Sequence, residues 1–266
     1  MHANGAVRLG LATLAVLGGL ALAGTSAHAY EIEHFDGAVY RAGAQDASNY
    51  ADDAGEHPHT GVVEFSFTTD AQGEPTGVTK DLRVDIPPGL VPNPEAFPRC
   101  TDAELAAGAC PPASQVGMQE LKVRGAVLLP PFRQTAHINV PIYNMTVTPD
   151  QVSRFSFNPG LAPGSATLLG DKSPIHIIGG VRDTTDFGLF FTIESPQDPE
   201  LIYAKQVFWG TPGAAQHDAQ RGQYCTLAPI PACTGGGQQV ANKTMPFLTN
   251  PTACLGILRT HFRATS

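Results

Sequence analysis

The stretch Gly61-Val62-Val63-Glu64-Phe65-Ser66-Phe67-Thr68 decides the fold. Val63, Phe65 and Phe67 alternate with Glu64, Ser66 and Thr68, and a two-residue period places the apolar side chains on one face of a strand. Further on, Leu82, Val84 and Ile86 alternate with Arg83 and Asp85. Asp70-Ala71-Gln72-Gly73-Glu74-Pro75 reads as the turn between the two runs, so they are expected as a hairpin-like pair. Pro87-Pro88-Gly89 ends the second run, because proline donates nothing to a sheet ladder.

The same period recurs downstream. Strands are expected at Gln115–Leu129, Ile138–Thr148, Val152–Asn158, Ile175–Arg182, Phe187–Ile193 and Leu201–Trp209. Phe187, Leu189, Phe191 and Ile193 share one face in the fifth of these, and Asp183-Thr184-Thr185-Asp186 reads as the tight turn before it. One helix stands out, Thr101 to Ala107. Thr101 and Glu104 form a T-x-x-E capping box, and Gly108 supplies the C-terminal residue at positive φ. Strands that recur without alternating helices specify an all-β, antiparallel β-sandwich or jelly-roll-like fold, with one short helix between two cysteines.

Residues 30–60 are polar and small, and read as an irregular opening segment with one short strand near Ala38-Val39-Tyr40. Residues 61–210 form the expected β-sandwich domain, and 211–266 a loop-rich, cysteine-containing C-terminal segment. The first 29 residues have the layout of a secretory signal peptide. Arg8 precedes the apolar run Leu9–Leu22, and Ala27-His28-Ala29 places cleavage after Ala29. That run of about 14 residues is shorter than the ~20 a spanning helix needs. No membrane span is expected after cleavage, and the mature protein is expected to be secreted.

The chain has 266 residues and a formal charge of −8, with no long basic run. Nucleic acid is therefore not expected as a partner, since phosphate contacts need a face rich in Lys and Arg. The 28 Gly and 23 Pro are spread along the chain, as turn punctuation is. All five cysteines follow the leader, in a compartment where cysteines pair. Cys100 and Cys110 flank the helix, and a bridge between them would close a loop of about ten residues worth roughly 2–3 kcal/mol. Among Cys225, Cys233 and Cys254 three single bridges are possible, each leaving one thiol. The expected staple joins Cys225 to Cys233, or one of them to Cys254.

Candidate chemistry is sparse. Neither G-x-S-x-G nor S-x-x-K occurs. His217-Asp218 could supply half a triad, although Asp218 reads more simply as a turn cap. Asp52, Asp53, Glu56, His57 and His59 crowd together, and His57-Pro58-His59 has the look of a chelating pair, against the plainer reading of a solvated loop. Glu64 and Glu120 sit in expected strands, where a pair of carboxylates could serve glycoside hydrolysis. Trp209 could be a sugar platform, but a core position is the better reading. No catalytic, cofactor-binding or metal-ligating residue is assigned, and no cofactor is expected.

Four stretches together resemble a known module: Thr79–Leu90 with Asn93-Pro94 and Pro98-Arg99-Cys100; Cys110–Gly117; Val181-Arg182 with Asp186-Phe187-Gly188-Leu189; and Phe208–Pro212 with His217-Asp218, Arg221-Gly222 and Pro246–Cys254. Over residues 57–254 the chain resembles the N-terminal module of large secreted, functionally uncharacterised β-rich proteins of actinobacteria. The resemblance implies a β-rich extracellular module followed by further sandwich-like domains, and it carries no site residue. This chain departs from it by ending soon after Cys254, as a shortened gene or a fragment would. The expectation is a secreted, non-enzymatic module with a structural or adhesive role, whose partners are components of the cell envelope or the extracellular matrix. The alternatives are an extracellular hydrolase and a carbohydrate- or metal-binding module.

Overall fold

Two strands open the fold, β1 (Ile32–Tyr40) and β2 (Thr60–Phe67), paired antiparallel so that Phe35 faces Phe65 and Tyr40 faces Thr60. The structure is a computed structural model that describes residues 31–126, 133–164, 174–194, 200–241, 244–254 and 256–266. The expected leader, its cleavage site and the end of the Gln115–Leu129 run lie outside the described residues. The strand expected at Ala38–Tyr40 is the end of the nine-residue β1. Its inner positions Phe35, Gly37 and Val39 carry a weak apolar signal, because a glycine takes the middle one.

The elements after β2 are β3 (Asp81–Asp85), β4 (Val91–Pro92), α1 (Asp102–Ala106), β5 (Gln115–Ala126), β6 (Arg133–Asn144), β7 (Ser153–Phe157), β8 (Ile175–Val181), β9 (Leu189–Glu194), β10 (Glu200–Trp209), β11 (Tyr224–Ala228), β12 (Ala232–Thr234), β13 (Leu248–Thr249) and β14 (His261–Thr265). One antiparallel sheet runs β1-β2-β10-β5-β6-β7-β8-β9-β3-β14, with β11 also on β6 and β12 on β11. The short strands β4 and β13 pair separately. The sheet thus extends to both sides of residues 61–210. Among the described residues, the segment from 211 onward contributes four short strands joined by loops and turns.

The expected pairing of β2 with β3 is not found. The edges of β2 are taken by β1 and β10, and those of β3 by β9 and β14. The linker turn closes on itself instead, with the Asp70 carboxylate accepting from the amides of Gln72 and Glu74. Lys80 N then donates to Thr265 O, on the far wall.

The helix is capped at both ends as its residues require. The Thr101 hydroxyl accepts from Glu104 N, and the Glu104 carboxylate accepts from Thr101 N. Gly108 has φ +66, and the amides of Gly108 and Ala109 reach back to the carbonyls of Leu105 and Glu104. The Cys100–Cys110 disulfide holds this turn, and Leu105 is fully buried. A second disulfide joins Cys225 to Cys233, directly opposed in the β11–β12 ladder, which leaves Cys254 free.

The inner face carries Phe65, Leu121, Ile138, Val140, Phe155 and Ile177, all buried in one core. Because the sheet curls, its two halves face each other across this core. Phe155 of β7 meets Phe208 of β10 edge to face at 5.4 Å. The ends of the sheet, β1 and β14, approach without a ladder between them, so the barrel is nearly closed. Phe262 stacks on Phe35 at 5.1 Å and lies 4.5 Å from the Phe65 ring. The Thr260 hydroxyl donates to Gly37 O at 2.9 Å, an approach that a Cβ at residue 37 would block, since it would lie 2.8 Å from Thr260 Cγ2. Phe187, expected inside with Leu189 and Phe191, is instead 70 % exposed at φ +47. Arg182 bonds to the Asp186 carboxylate across that turn and holds Phe187 out of the strand.

Candidate functional site

The side chains that could do chemistry on the outer face are already matched to one another. Glu64 of β2 and Glu120 of β5 do share that face, with Lys205 of β10 opposed to both. Lys205 Nζ lies 2.9 Å from Glu64, the Tyr203 hydroxyl donates to Glu64 at 2.9 Å, and His137 Nε2 lies 2.6 Å from Glu120. Burial pushes the Glu64 carboxyl up, but Lys205 and Tyr203 together hold it below its ordinary value. A glycosidase acid needs the opposite shift.

The acidic cluster near residue 52 closes around a guanidinium. Arg41 lies 2.8 Å from Asp52 and Asp53 and 2.9 Å from Glu56, where a cation would sit. The two imidazoles do not converge. His57 Nδ1 lies 3.2 Å from Leu248 O and Thr249 Oγ1, whereas His59 faces Thr60 and Gln216. Among the described residues, no three His, Cys, Asp or Glu side chains gather as a metal-holding group.

His217 does not pair with Asp218 as a triad base. Its ring stacks on Trp209 at 4.2 Å between centroids, with the Arg221 guanidinium 5.4 Å from the same indole. Arg221 is fully buried. It donates to Pro212 O at 2.9 Å and makes longer bonds to Pro112 O and Ala214 O and to the Asp218 carboxylate. Burial, then Arg221 and His59, push the His217 imidazole down to about 4. Trp209 is buried under this stack and is no exposed platform.

Sequence reasoning missed a serine–histidine contact. Ser156 Oγ lies 2.7 Å from His176 Nδ1, a cross-strand pair of β7 and β8. A hydrolytic base needs a carboxylate behind it. Here Arg154 stands at 3.2 Å from His176 Nε2, burial and that charge hold the imidazole down, and Ser156 is fully buried. The pair is a packed cross-strand contact.

The inner face is different. Beside the seam between β1 and β14 the inside of the curled sheet holds a cavity of about 730 Å³. Phe65 and Phe208 wall one side, and Phe155, Ile177, Phe191 and Phe262 the other. Asn250, Ala253, Gly256 and Thr260 help line the mouth together with Cys254, Ile257 and Leu258, which are exposed. The Asn250 side chain donates to Ala51 O and Asp53 O. The rim carries Asp36, Asp52 and Asp53. Deep on the wall sits Gln206, 6 % exposed, with no hydrogen-bond partner among the described residues. Its neighbour in register, Gln119, is fully buried; its Nε2 donates to Glu120 O and Lys205 O, and its Oε1 is unbonded. No sequence signal marked this cavity, because its walls come from residues as far apart as 36 and 262.

No helix among the described residues is long and apolar enough to cross a membrane. No protein-family model, no curated protein and no solved structure matches the chain.

Proposed function

We propose that this chain is an exported, non-catalytic binding module that holds a small, mainly hydrocarbon molecule inside its curled sheet, at the cell envelope or in the surrounding medium. The cavity carries the reading. Its volume falls within the roughly 300–1,000 Å³ of small-molecule sites, and aromatic walls with few polar groups are the usual lining of such sites. Export is supported by the leader of residues 1–29, by two disulfides and by the resemblance to secreted actinobacterial modules.

The test is titration with an environment-sensitive naphthylamine dye. The wild-type chain takes up the dye with a blue shift, and bound dye slows maleimide labelling of Cys254 at the mouth. Val63→Trp, which fills the wall, abolishes both effects. A chain that binds no dye, or a Val63→Trp chain that binds it as well as wild type, refutes the reading.

A second reading, adhesion to envelope fragments, is favoured by Phe187 and Ile230, which are 70 % and 77 % exposed at the tips of the β8–β9 and β11–β12 turns. Changing both to Ser should release the protein from isolated envelope fragments, and undiminished retention would reject adhesion through these tips.

A further inference from the structure

Gln206 and the charges around the cavity define the kind of molecule that fits. The following rests on the reading of the cavity as a binding site. Gln206 lies on the inner face of β10 two residues from Phe208, more than nine-tenths buried, and its amide makes no hydrogen bond among the described residues. The residue as a whole is buried while its amide atoms open onto the cavity, and a donor–acceptor pair facing free space on an apolar wall is a place for a ligand's polar group. The charge pattern narrows the choice. The described lining holds three carboxylates at the rim and no Lys, Arg or His. The nearby Arg41 is committed to Asp52, Asp53 and Glu56, and the Tyr40 hydroxyl donates to Asp36. An anion would therefore pass an acidic rim and reach a wall with no cation to receive it, and an unpaired carboxylate is costly to bury.

We infer that the ligand is a neutral amphiphile, a hydrocarbon chain or ring system bearing one alcohol, amide or ester group, and that this group meets Gln206. A carboxylate of the same skeleton is excluded at neutral pH. Gln206 sets this specificity, and the phenylalanine walls set the affinity for the hydrocarbon part.

The experiment displaces the naphthylamine dye with a straight-chain alcohol, primary amide and carboxylate of equal length, in the full chain at neutral pH. The wild-type protein should prefer the alcohol and the amide over the carboxylate by at least tenfold. In Gln206→Leu and Gln206→Met, both of similar volume, the alcohol and the amide should weaken about tenfold while dye affinity stays within twofold. A carboxylate that competes as well as the alcohol overturns the inference, as does a head-group order unchanged in both variants. A wild-type chain that binds no dye overturns the cavity reading and this inference together, whereas dye binding with an unchanged head-group order overturns this inference alone.

Discussion

Phe262→Ala tests whether side chains alone close the barrel. β14 is held by a ladder on one edge only, to β3, and its other edge reaches β1 through Phe262 and the Thr260–Gly37 contact. The Phe262 ring lies 5.1 Å from Phe35, 4.5 Å from Phe65 and 6.4 Å from Phe67. Truncating a fully buried phenylalanine costs about 3–5 kcal/mol. Phe262 is half-buried, which scales that figure to about 2 kcal/mol, and the stacked pair with Phe35 adds roughly 0.5–1.5 kcal/mol beyond burial. The expected loss is about 2–4 kcal/mol. For a domain of this size each kcal/mol lowers Tm by roughly 2–4 °C, so the midpoint should fall by about 4–16 °C. Phe262→Leu keeps apolar volume without the ring and should lose about half as much. Urea unfolding gives the free energy. Hydrogen exchange read by mass spectrometry should show residues 261–265 exchanging faster in the variant, together with the facing residues of β1. A loss below about 1 kcal/mol, or faster exchange at β14 with β1 unchanged, would refute closure through this clasp.

Two further outcomes follow from the outer stack. The His217 imidazole titrates near 4 in the fold and near 6.5 unfolded, so between those values the unfolded chain binds the extra proton and stability drops as the pH falls. The loss is on the order of 3 kcal/mol from pH 6.5 to about 4, with His176 acting in the same direction. His217→Phe, which keeps a ring on Trp209, should flatten that slope in urea melts at a series of pH values, and an unchanged slope would remove His217 as its source. Arg221→Met leaves the carbonyls of Pro212, Pro112 and Ala214 without their donor and should cost about 3–5 kcal/mol. Trp209 is the chain's single tryptophan, so its fluorescence should shift red in the same variant, and a stable protein with unshifted emission would contradict the role given to Arg221.

What the sequence made legible was local. The alternation of Val63, Phe65 and Phe67 and the Thr101–Glu104 capping box were readable because each involves residues within a few positions of one another. The Cys100–Cys110 bridge was readable for the same reason. Strand partners were not. The segments of β2 and β3 look like a hairpin until the sheet order shows that other strands fill all four of their edges. Phe187 kept the period of β9 in the sequence and lost it in the fold, because the Arg182–Asp186 pair organises the turn that holds it. The choice among Cys225, Cys233 and Cys254 was settled only by the register that opposes Cys225 to Cys233. The candidate site was the least legible of all. Gln206 sits between Lys205 and Val207 and carries no mark of facing inward until its neighbours Ala204 and Phe208 are seen on the core side.

The two faces of the sheet differ in how far their polar groups are satisfied, and the proposed binding site rests on that difference rather than on the abundance of titratable residues. On the outer face, Glu64, Glu120, His217, Arg221 and Ser156 all have partners, and the shifts of Glu64, His217 and His176 run against the acid or base role that each would need. A group whose bonding is complete within the protein has little to offer a substrate. The inner face is the reverse, mostly apolar but with the amide of Gln206 left open where there is space beside it. A cavity forgoes the packing that would otherwise fill it, and an amide that opens into it has no protein partner to satisfy it. Both features belong to the one cavity, and on the proposed reading a bound molecule would supply packing contacts and a hydrogen-bond partner together.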